Sequence, residues 1–143
     1  MQVKDLMTLD VEVVRADTPL REAAEKMRSL NVGVMPVCDG TRLLGMLTDR
    51  DITVRATALG RDPNTPTVGD TMTPDVAFCY EDQDVREVAE LMQQLQVRRI
   101  PIVNHDKELV GIVSLGDLAV DATNDSLSSQ VIEDVSQPAR PNR

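Results

Sequence analysis

One pattern of residues occurs twice along this chain, in the same order each time. The second copy follows the first at an offset of 65 positions, which becomes 66 after one extra residue in a polar turn. A repeated unit of about sixty residues with three short strands leaves one face of its sheet bare, so two copies are expected to bury that face between them. The matching segments are VKDLMTLDV (3–11) with VGDTMTPDV (68–76), REAAEKM (21–27) with REVAELM (86–92), MPV (35–37) with IPI (100–102), and GMLTDRDI (45–52) with GIVSLGDL (111–118).

Within each copy the hydrophobic period changes in the same sequence of steps. A short apolar run is followed by a stretch (20–30, then 85–95) whose apolar residues recur every three to four positions, as on one face of a helix. Two short strands joined by a polar turn come next, and a second helix opens at Thr48 or Ser114. The predicted strands are 11–14, 34–38 and 42–48 in the first copy, and 76–79, 100–103 and 108–114 in the second.

These elements predict an α/β (α+β) fold of two β-α-β-β-α repeats, related by a pseudo-twofold axis and packed through their sheets into one module. The first helix is expected to start at Thr18 with Pro19 in its first turn, and its counterpart at Asp84 with Glu87 as a capping box. The predicted domains are a first repeat (1–60), a linker (61–67), a second repeat (68–123) and a tail (124–143) with a short helix.

The composition narrows the classes of partner. The formal net charge of -9, with Phe78 and Tyr80 as the only aromatic residues, disfavours nucleic acid and an anionic membrane surface, which attract basic proteins. No apolar run is long enough to span a membrane, and the first residues lack a signal-peptide pattern, so a cytoplasmic location is expected. The core must be aliphatic.

Cysteine and histidine give little indication of redox or metal chemistry. Cys38 and Cys79 lie in apolar runs without a C-x-x-C spacing, which favours two buried thiols over a redox pair or metal ligands, although these alternatives stay open. The single histidine, His105, lies in the polar turn NHDKE and is interpreted as a turn residue. No metal site is predicted.

The spacing Thr/Ser-x-x-Asp at the start of each second helix has two explanations. It is the pattern of a helix capping box, which needs no further purpose. A helix that begins at the end of a strand also presents free backbone N–H groups to anions. An ionised carboxylate there only accepts hydrogen bonds, so it would repel phosphate and suit the two hydroxyls of a ribose. A phosphorylated nucleoside satisfies both requirements.

The tandem units resemble CBS domains, the cystathionine β-synthase type repeats that pair into a Bateman module. The resemblance covers residues 3–123 and rests on the four pairs of segments given above. GMLTDRDI, followed by DPNT, is also similar to small stand-alone bacterial two-repeat proteins of the hypoxic-response kind. The family implies a regulatory module that binds adenosine-containing ligands such as AMP, ADP, ATP or S-adenosylmethionine in two clefts. It also implies a homodimer and a separate regulated protein, which the sequence does not identify.

The family pattern implies two unequal ligand sites. In each site, the Asp that opens the helix holds the ribose. The residues two and three positions before the strand proline of the other copy face the phosphate. Because two arginines fall in the first set and Glu12 in the second, the first is predicted to be the better nucleotide site. The first set is Met46, Thr48, Asp51, Thr73, Ala77, Arg98 and Arg99; the second is Ile112, Ser114, Asp117, Thr8, Gly33 and Val34, with Glu12 beside them.

Two alternatives to ligand sensing stay open at this point. The repeats could serve only as a dimerisation scaffold with empty clefts, or the chain could be an enzyme. The sequence places no nucleophile beside a general base and contains one histidine, so catalysis is the least favoured hypothesis. A scaffold and a sensor differ in whether nucleotide stabilises the protein.

Overall fold

The computed structural model describes residues 1–120, and the predicted tail helix within 124–143 lies outside the described residues. Both copies follow the predicted order β-α-β-β-α, which confirms the mixed α/β class. The helices are α1 (Leu20–Leu30), α2 (Asp49–Arg55), α3 (Val68–Thr71), α4 (Val85–Leu95) and α5 (Leu115–Val120). The strands are β1 (Val14–Arg15), β2 (Val34–Asp39), β3 (Arg42–Thr48), β4 (Thr73–Pro74), β5 (Cys79–Tyr80), β6 (Arg99–Val103) and β7 (Leu109–Ser114).

The strands form two sheets. The four-stranded sheet has the order β1-β2-β3-β4, in which β1 runs parallel to β2 and the other neighbours are antiparallel. The three-stranded sheet has the order β5-β6-β7, with β5 parallel to β6. In both, the strand that precedes the amphipathic helix pairs with the strand that follows it, as the parallel β-α-β connection requires.

The described residues divide into two compact units. The four-stranded unit contains 12–76 and 106–109, and the three-stranded unit contains 1–11, 77–105 and the described residues from Val110. These limits differ from the repeat boundaries at 60 and 68, which stay a prediction drawn from the sequence. Each unit therefore includes the segment that opens the other copy.

Two buried side chains account for this exchange of opening segments. Val3, in a 3-10 turn (Val3–Asp5), is fully buried in the core of the three-stranded unit, against residues such as Val88 and Ile102. Val68, its counterpart at the start of α3, is fully buried in the core of the four-stranded unit. Each core thus depends on residues from both copies.

The first strand of each copy is shorter and later than predicted. The runs 11–14 and 76–79 were expected as strands, but pairing begins only at Val14 and at Cys79. Asp10 and Asp75, one residue before each run, have positive φ values of 54° and 51°. This left-handed conformation interrupts extended backbone, so the chain reaches its sheet three residues later.

The predicted start at Asp84 is confirmed, whereas the start at Thr18 and the capping box with Glu87 are wrong. The first residue before α1 is Pro19, and Thr18 instead accepts a hydrogen bond from the backbone N–H of Arg15 at 3.3 Å. At α4, Asp84 does accept from the backbone N–H of Arg86, but Glu87 accepts from the Gln83 side chain and completes no capping box. The N–H groups that a cap at Thr18 would satisfy, those of Leu20 and Arg21, donate instead to the carbonyl oxygens of Pro66 and Pro63 at 3.0 and 3.2 Å.

Both cysteines are buried free thiols, as the apolar runs around them predicted. Cys79 lies in the aliphatic core of the three-stranded unit, and burial, with a smaller contribution from Glu87, raises its pKa to about 11. Burial also raises the pKa of Cys38. Both side chains therefore stay protonated near neutral pH and pack as small apolar groups.

A glycine in each repeated segment permits a close crossing of backbones. A Cβ atom on Gly45 would lie against the Thr73 carbonyl oxygen and 3.1 Å from Pro74 Cα, both in β4. A Cβ on the equivalent Gly111 would lie 2.7 Å from Met7 Sδ and 2.9 Å from the Thr8 carbonyl oxygen. Both copies have a glycine at this position because the opening segment passes too close to leave room for a side chain.

The mutation Gly45→Ala should destabilise the protein more than Gly111→Ala. The new methyl group at Gly45 meets only backbone atoms, whereas at Gly111 its nearest neighbour is the flexible end of Met7. Forcing β4 away from β3 is expected to lower the free energy of unfolding by about 1–3 kcal/mol. Urea denaturation of both variants measures the difference, and equal losses would contradict a backbone clash that is more severe at Gly45 than at Gly111.

Candidate functional site

The helix α2 begins with a complete capping box at the end of β3. The Asp51 backbone N–H donates to Thr48 Oγ1 at 3.0 Å, and the Thr48 backbone N–H donates to Asp51 Oδ2 at 3.0 Å. The capping half of the sequence interpretation is therefore confirmed. It leaves the second carboxylate oxygen, Oδ1, outside the box.

Asp51 is one of two polar residues buried within residues 1–120, with 9 % of its surface exposed. The Thr73 hydroxyl lies 3.3 Å from Oδ1 and 3.4 Å from Oδ2, so its proton is shared between the two oxygens. Arg55 Nε lies 3.8 Å from Oδ1, four residues further along the helix. Oδ1 thus has only long contacts and can accept a stronger hydrogen bond.

The second copy repeats the box at the start of α5. The Ser114 backbone N–H donates to Asp117 Oδ2 at 2.8 Å, and the Asp117 backbone N–H donates to Ser114 Oγ at 3.2 Å. Asp117 is more exposed than Asp51. Within residues 1–120, its carboxylate accepts no hydrogen bond from the hydroxyl of Thr8, the counterpart of Thr73.

The opening segment of one copy pairs with the strand that leads into each box. Met46 in β3 pairs with Thr73 in β4. In the three-stranded unit, Thr8 and Ile112 exchange backbone hydrogen bonds of 2.8 and 3.1 Å. The structure therefore places Met46, Thr48, Asp51 and Thr73 in one unit and Ile112, Ser114, Asp117 and Thr8 in the other, and the two predicted ligand sites stay predictions.

The comparisons with known proteins agree with this architecture. The CBS domain family model matches residues 3–56 and 68–120. This chain belongs to the CBS domain family.

Two relatives match most of this chain over most of their own length. The CBS domain-containing protein YhcV of Bacillus subtilis (strain 168) is 42% identical over 134 residues, which are 94% of this chain and 94% of that protein. Hypoxic response protein 1 of Mycobacterium tuberculosis (strain H37Rv) is 38% identical over 117 residues, 81% of each chain. The resemblance to the hypoxic-response kind of CBS pair is therefore confirmed.

Solved CBS structures share the fold. Hypoxic Response Protein I, with two coordinated zinc ions, is 37% identical at a TM-score of 0.77, covering 85% of this chain and 98% of that one. CBSX2 in complex with AMP is 28% identical at a TM-score of 0.75, covering 85% of this chain and 95% of that one. A structure of CBSX2 from Arabidopsis thaliana is also similar. The CBS domain pair of MJ0100, with 5′-methylthioadenosine and S-adenosyl-L-methionine, is 28% identical at 0.70, covering 84% and 94%.

The residues predicted to face phosphate differ sharply between the two CBS repeats. Arg98 and Arg99 are exposed, and within residues 1–120 neither forms an ion pair. Their counterparts in the first repeat are Gly33 and Val34, which carry no charge. The carboxylate of Asp49 lies 3.0 Å from where a Cβ on Gly33 would be.

The backbone contact next to these residues is the same in both CBS repeats, but the side chains differ. The Asp49 N–H donates to the Gly33 carbonyl at 2.9 Å, and the Leu115 N–H donates to the Arg98 carbonyl at 2.8 Å. One repeat therefore places an acidic side chain at this contact, and the other places a basic one there. This asymmetry favours an anion beside the arginines.

Two further predicted positions lie just after the opening segments. Ala77 is an exposed residue of the three-stranded unit and stays a predicted contact. Glu12, in the four-stranded unit, pairs with Lys26 at 3.3 Å, so its negative charge is partly neutralised. The electrostatic difference between the two predicted sites therefore rests more on Asp49 and the two arginines than on Glu12.

His105 is more than a turn residue. Its Nε2 lies 2.8 Å from Asp82 Oδ2, and its ring stacks on Tyr80 with centroids 4.6 Å apart. The hydrogen bond lowers the pKa of Asp82. The repeated pattern could not indicate this contact, because the turn that carries His105 is the one place where the second copy has an extra residue.

Within residues 1–120, no three His, Cys, Asp or Glu side chains come together as a metal ion would require. Over the same range, no helix has both the length and the apolar content to cross a bilayer.

Proposed function

We propose that this CBS pair is a non-catalytic regulatory module that binds an adenosine-containing ligand. Asp51 is proposed to accept from the ribose hydroxyls, with Met46, Thr48 and Thr73 of the same unit as further contacts. The resemblance to the family assigns the phosphate to Arg98 and Arg99 and a further contact to Ala77. The observation that carries the proposal is the Asp51 carboxylate, which is buried at a strand–helix junction with Oδ1 contacted only at 3.3 Å or more.

The class of ligand is supported by the charges and by the relatives. Two guanidiniums that form no ion pair within residues 1–120 suit a phosphate, and a carboxylate suits a diol, so AMP, ADP and ATP are candidates. A CBS pair crystallised with AMP and another with S-adenosyl-L-methionine and 5′-methylthioadenosine support adenosine as the common part. The second set of residues, Ser114 and Asp117 with Gly33 and Val34, is proposed to bind ligands with little or no phosphate. This binding is expected to be weaker than that of AMP at the first site.

Regulation and assembly complete the proposal. Ligand binding is proposed to change the conformation of a homodimer and thereby its contact with a separate regulated protein, located in the cytoplasm. A ligand shifts such an equilibrium only by its difference in affinity for the two states.

A dimerisation scaffold with empty sites is the second candidate. It is favoured by one observation, that Thr48, Thr73 and Arg55 already give the Asp51 carboxylate internal partners. In this case the capping boxes would stabilise α2 and α5 and do nothing else.

Isothermal titration with AMP, ATP and S-adenosylmethionine tests the proposal on the full chain. The mutation Asp51→Asn is expected to raise the dissociation constant of AMP about tenfold, because a hydrogen bond to a charged acceptor is lost. Asp70→Asn is the matched control, since Asp70 accepts from Thr67 at the start of α3 with the same Thr-x-x-Asp spacing. Asp117→Asn should change AMP binding less than Asp51→Asn.

Two results would contradict the proposed site. No heat with any of the three ligands at millimolar concentration would favour the scaffold. An equal loss of affinity in the Asp51 and Asp70 variants would show that helix capping in general, and not contact with ribose, supports binding.

A further inference from the structure

The guanidinium of Arg55 connects the Asp51 carboxylate to the segment that carries Thr73. Its Nη1 donates to the Met72 carbonyl oxygen at 3.1 Å, while its Nε lies 3.8 Å from Asp51 Oδ1. Met72 is the C-cap of α3 and lies immediately before β4. One side chain therefore contacts both the helix that bears Asp51 and the strand segment opposite it.

The two oxygens of Asp51 are held in different ways. Oδ2 is fixed by the 3.0 Å hydrogen bond from the Thr48 backbone, so the carboxylate cannot leave the capping box without losing that bond. The direction of Oδ1 depends on rotation about the side chain, and among residues 1–120 its polar contacts are Arg55 and the shared Thr73 hydroxyl. Arg55 is the one of these that carries charge.

Only one of the two repeats has this arginine. At the offset of 66 that relates α2 to α5, the residue matching Arg55 is Asp121. In sequence, the first repeat therefore places a positive charge four residues after its helix-opening aspartate, and the second places a negative charge there. Opposite charges at this spacing attract on a helix, and like charges repel.

We propose that Arg55 is a positioning residue that directs Asp51 Oδ1 toward a ribose diol, and so makes the first site selective for ligands with both ribose hydroxyls. The inference rests on the proposed function and names the group that the site distinguishes. When both oxygens of a carboxylate are held in place, they can accept from two adjacent hydroxyls at the same time. A carboxylate that rotates accepts from one hydroxyl or the other. Selectivity arises because a ligand lacking one hydroxyl leaves a buried oxygen without its donor.

A purely structural role predicts a different result. Arg55 lies near the C-terminal end of α2, where a cation is favourable, and its bond to Met72 would hold α2 against β4 whatever the ligand. Loss of such a support would weaken the binding of all adenosine ligands by the same factor. The ratio of two affinities separates the roles, since a common factor cancels.

The experiment titrates AMP and 2′-deoxy-AMP into the wild-type protein and the variants Arg55→Met, Arg55→Lys and Arg50→Met. Wild type is expected to prefer AMP about tenfold, and Arg55→Met should reduce this preference to about twofold through weaker AMP binding. Arg55→Lys should retain an intermediate preference, because one ammonium group does not match the two contacts of a guanidinium. Arg50→Met is the matched control, as the preceding arginine of the same helix forms no ion pair within residues 1–120.

Each outcome decides between specific explanations. If Arg55→Met weakens both ligands equally, or keeps the wild-type preference, the positioning role is wrong while the proposed function stands. If wild type binds neither ligand, the proposed function fails and the inference with it. Should Arg55→Met not fold, the ratio measured for Arg55→Lys takes its place, and an unchanged ratio there overturns the proposal.

Discussion

Replacing Arg98 and Arg99 together by methionine is expected to weaken the binding of AMP about 100-fold and to leave adenosine binding nearly unchanged. Both guanidiniums are exposed and have no acidic partner within residues 1–120, so their charge is available to a phosphate. Methionine keeps a long unbranched side chain and removes only the charge. Titration of the double variant with AMP and with adenosine measures the loss and assigns it to the phosphate.

The matched control is the double variant Arg15→Met and Arg21→Met, which changes the net charge by the same amount. These arginines already have acidic partners, with Arg15 Nε at 3.0 Å from Asp17 and Arg21 Nε at 3.3 Å from Glu25. Its AMP affinity should change by less than about twofold at physiological salt, where distant charges are screened. Equal losses in both double variants would mean that overall charge, rather than a phosphate site, supports binding.

The sequence was sufficient to predict the longer elements of the fold. The run 42–48 forms β3 with both ends as predicted, because an apolar stretch bounded by a polar turn and a capping residue has clear limits. The two-residue strands β1 and β5 were misplaced, since their start depends on the left-handed backbone of Asp10 and Asp75. The strand β4 was missed. It pairs with β3 because Gly45 has no side chain to keep the two backbones apart, and this close approach is a tertiary contact.

The candidate site was predictable in part. The Thr-x-x-Asp spacing correctly predicted capping at Thr48 and Ser114, but the same spacing at Thr67 and Asp70 shows that it does not by itself indicate a ligand site. Hydrogen bonds from Thr67 lower the pKa of that exposed Asp70, whereas Asp51 is buried. Burial depends on how α2 packs, and no local pattern encodes it.

Arg55 was missed although a signal was present in the sequence. Its spacing of four residues from Asp51 is the spacing of side-chain pairs on a helix, and the second copy lacks it. Its contact with the Met72 carbonyl could not be predicted, because that contact joins residues 17 positions apart in the chain through tertiary packing. Differences between two copies of a repeat are thus as informative as their matches.

The second large effect is expected on stability, from Val3→Asp. Val3 has no exposed surface and packs among aliphatic residues of the three-stranded unit, while its backbone N–H donates to the Gln83 carbonyl at 2.9 Å. An aspartate there would be buried without a partner or would pull the opening segment out of the core. The free energy of unfolding is expected to fall by more than about 4 kcal/mol, a large share of the roughly 5–15 kcal/mol typical of a small protein.

The control for this variant is Leu9→Asp, six residues further along the same segment. Leu9 is 59% exposed, so the same introduced charge stays in water and the expected change is within about 0.5 kcal/mol. Urea denaturation followed by circular dichroism compares the two variants with wild type. The two variants introduce the same charge and differ in where it is placed. A large loss in Val3→Asp alone therefore means that the first residues of the chain complete a core built mainly from the second repeat. Equally small losses would show that this segment does not dock in solution.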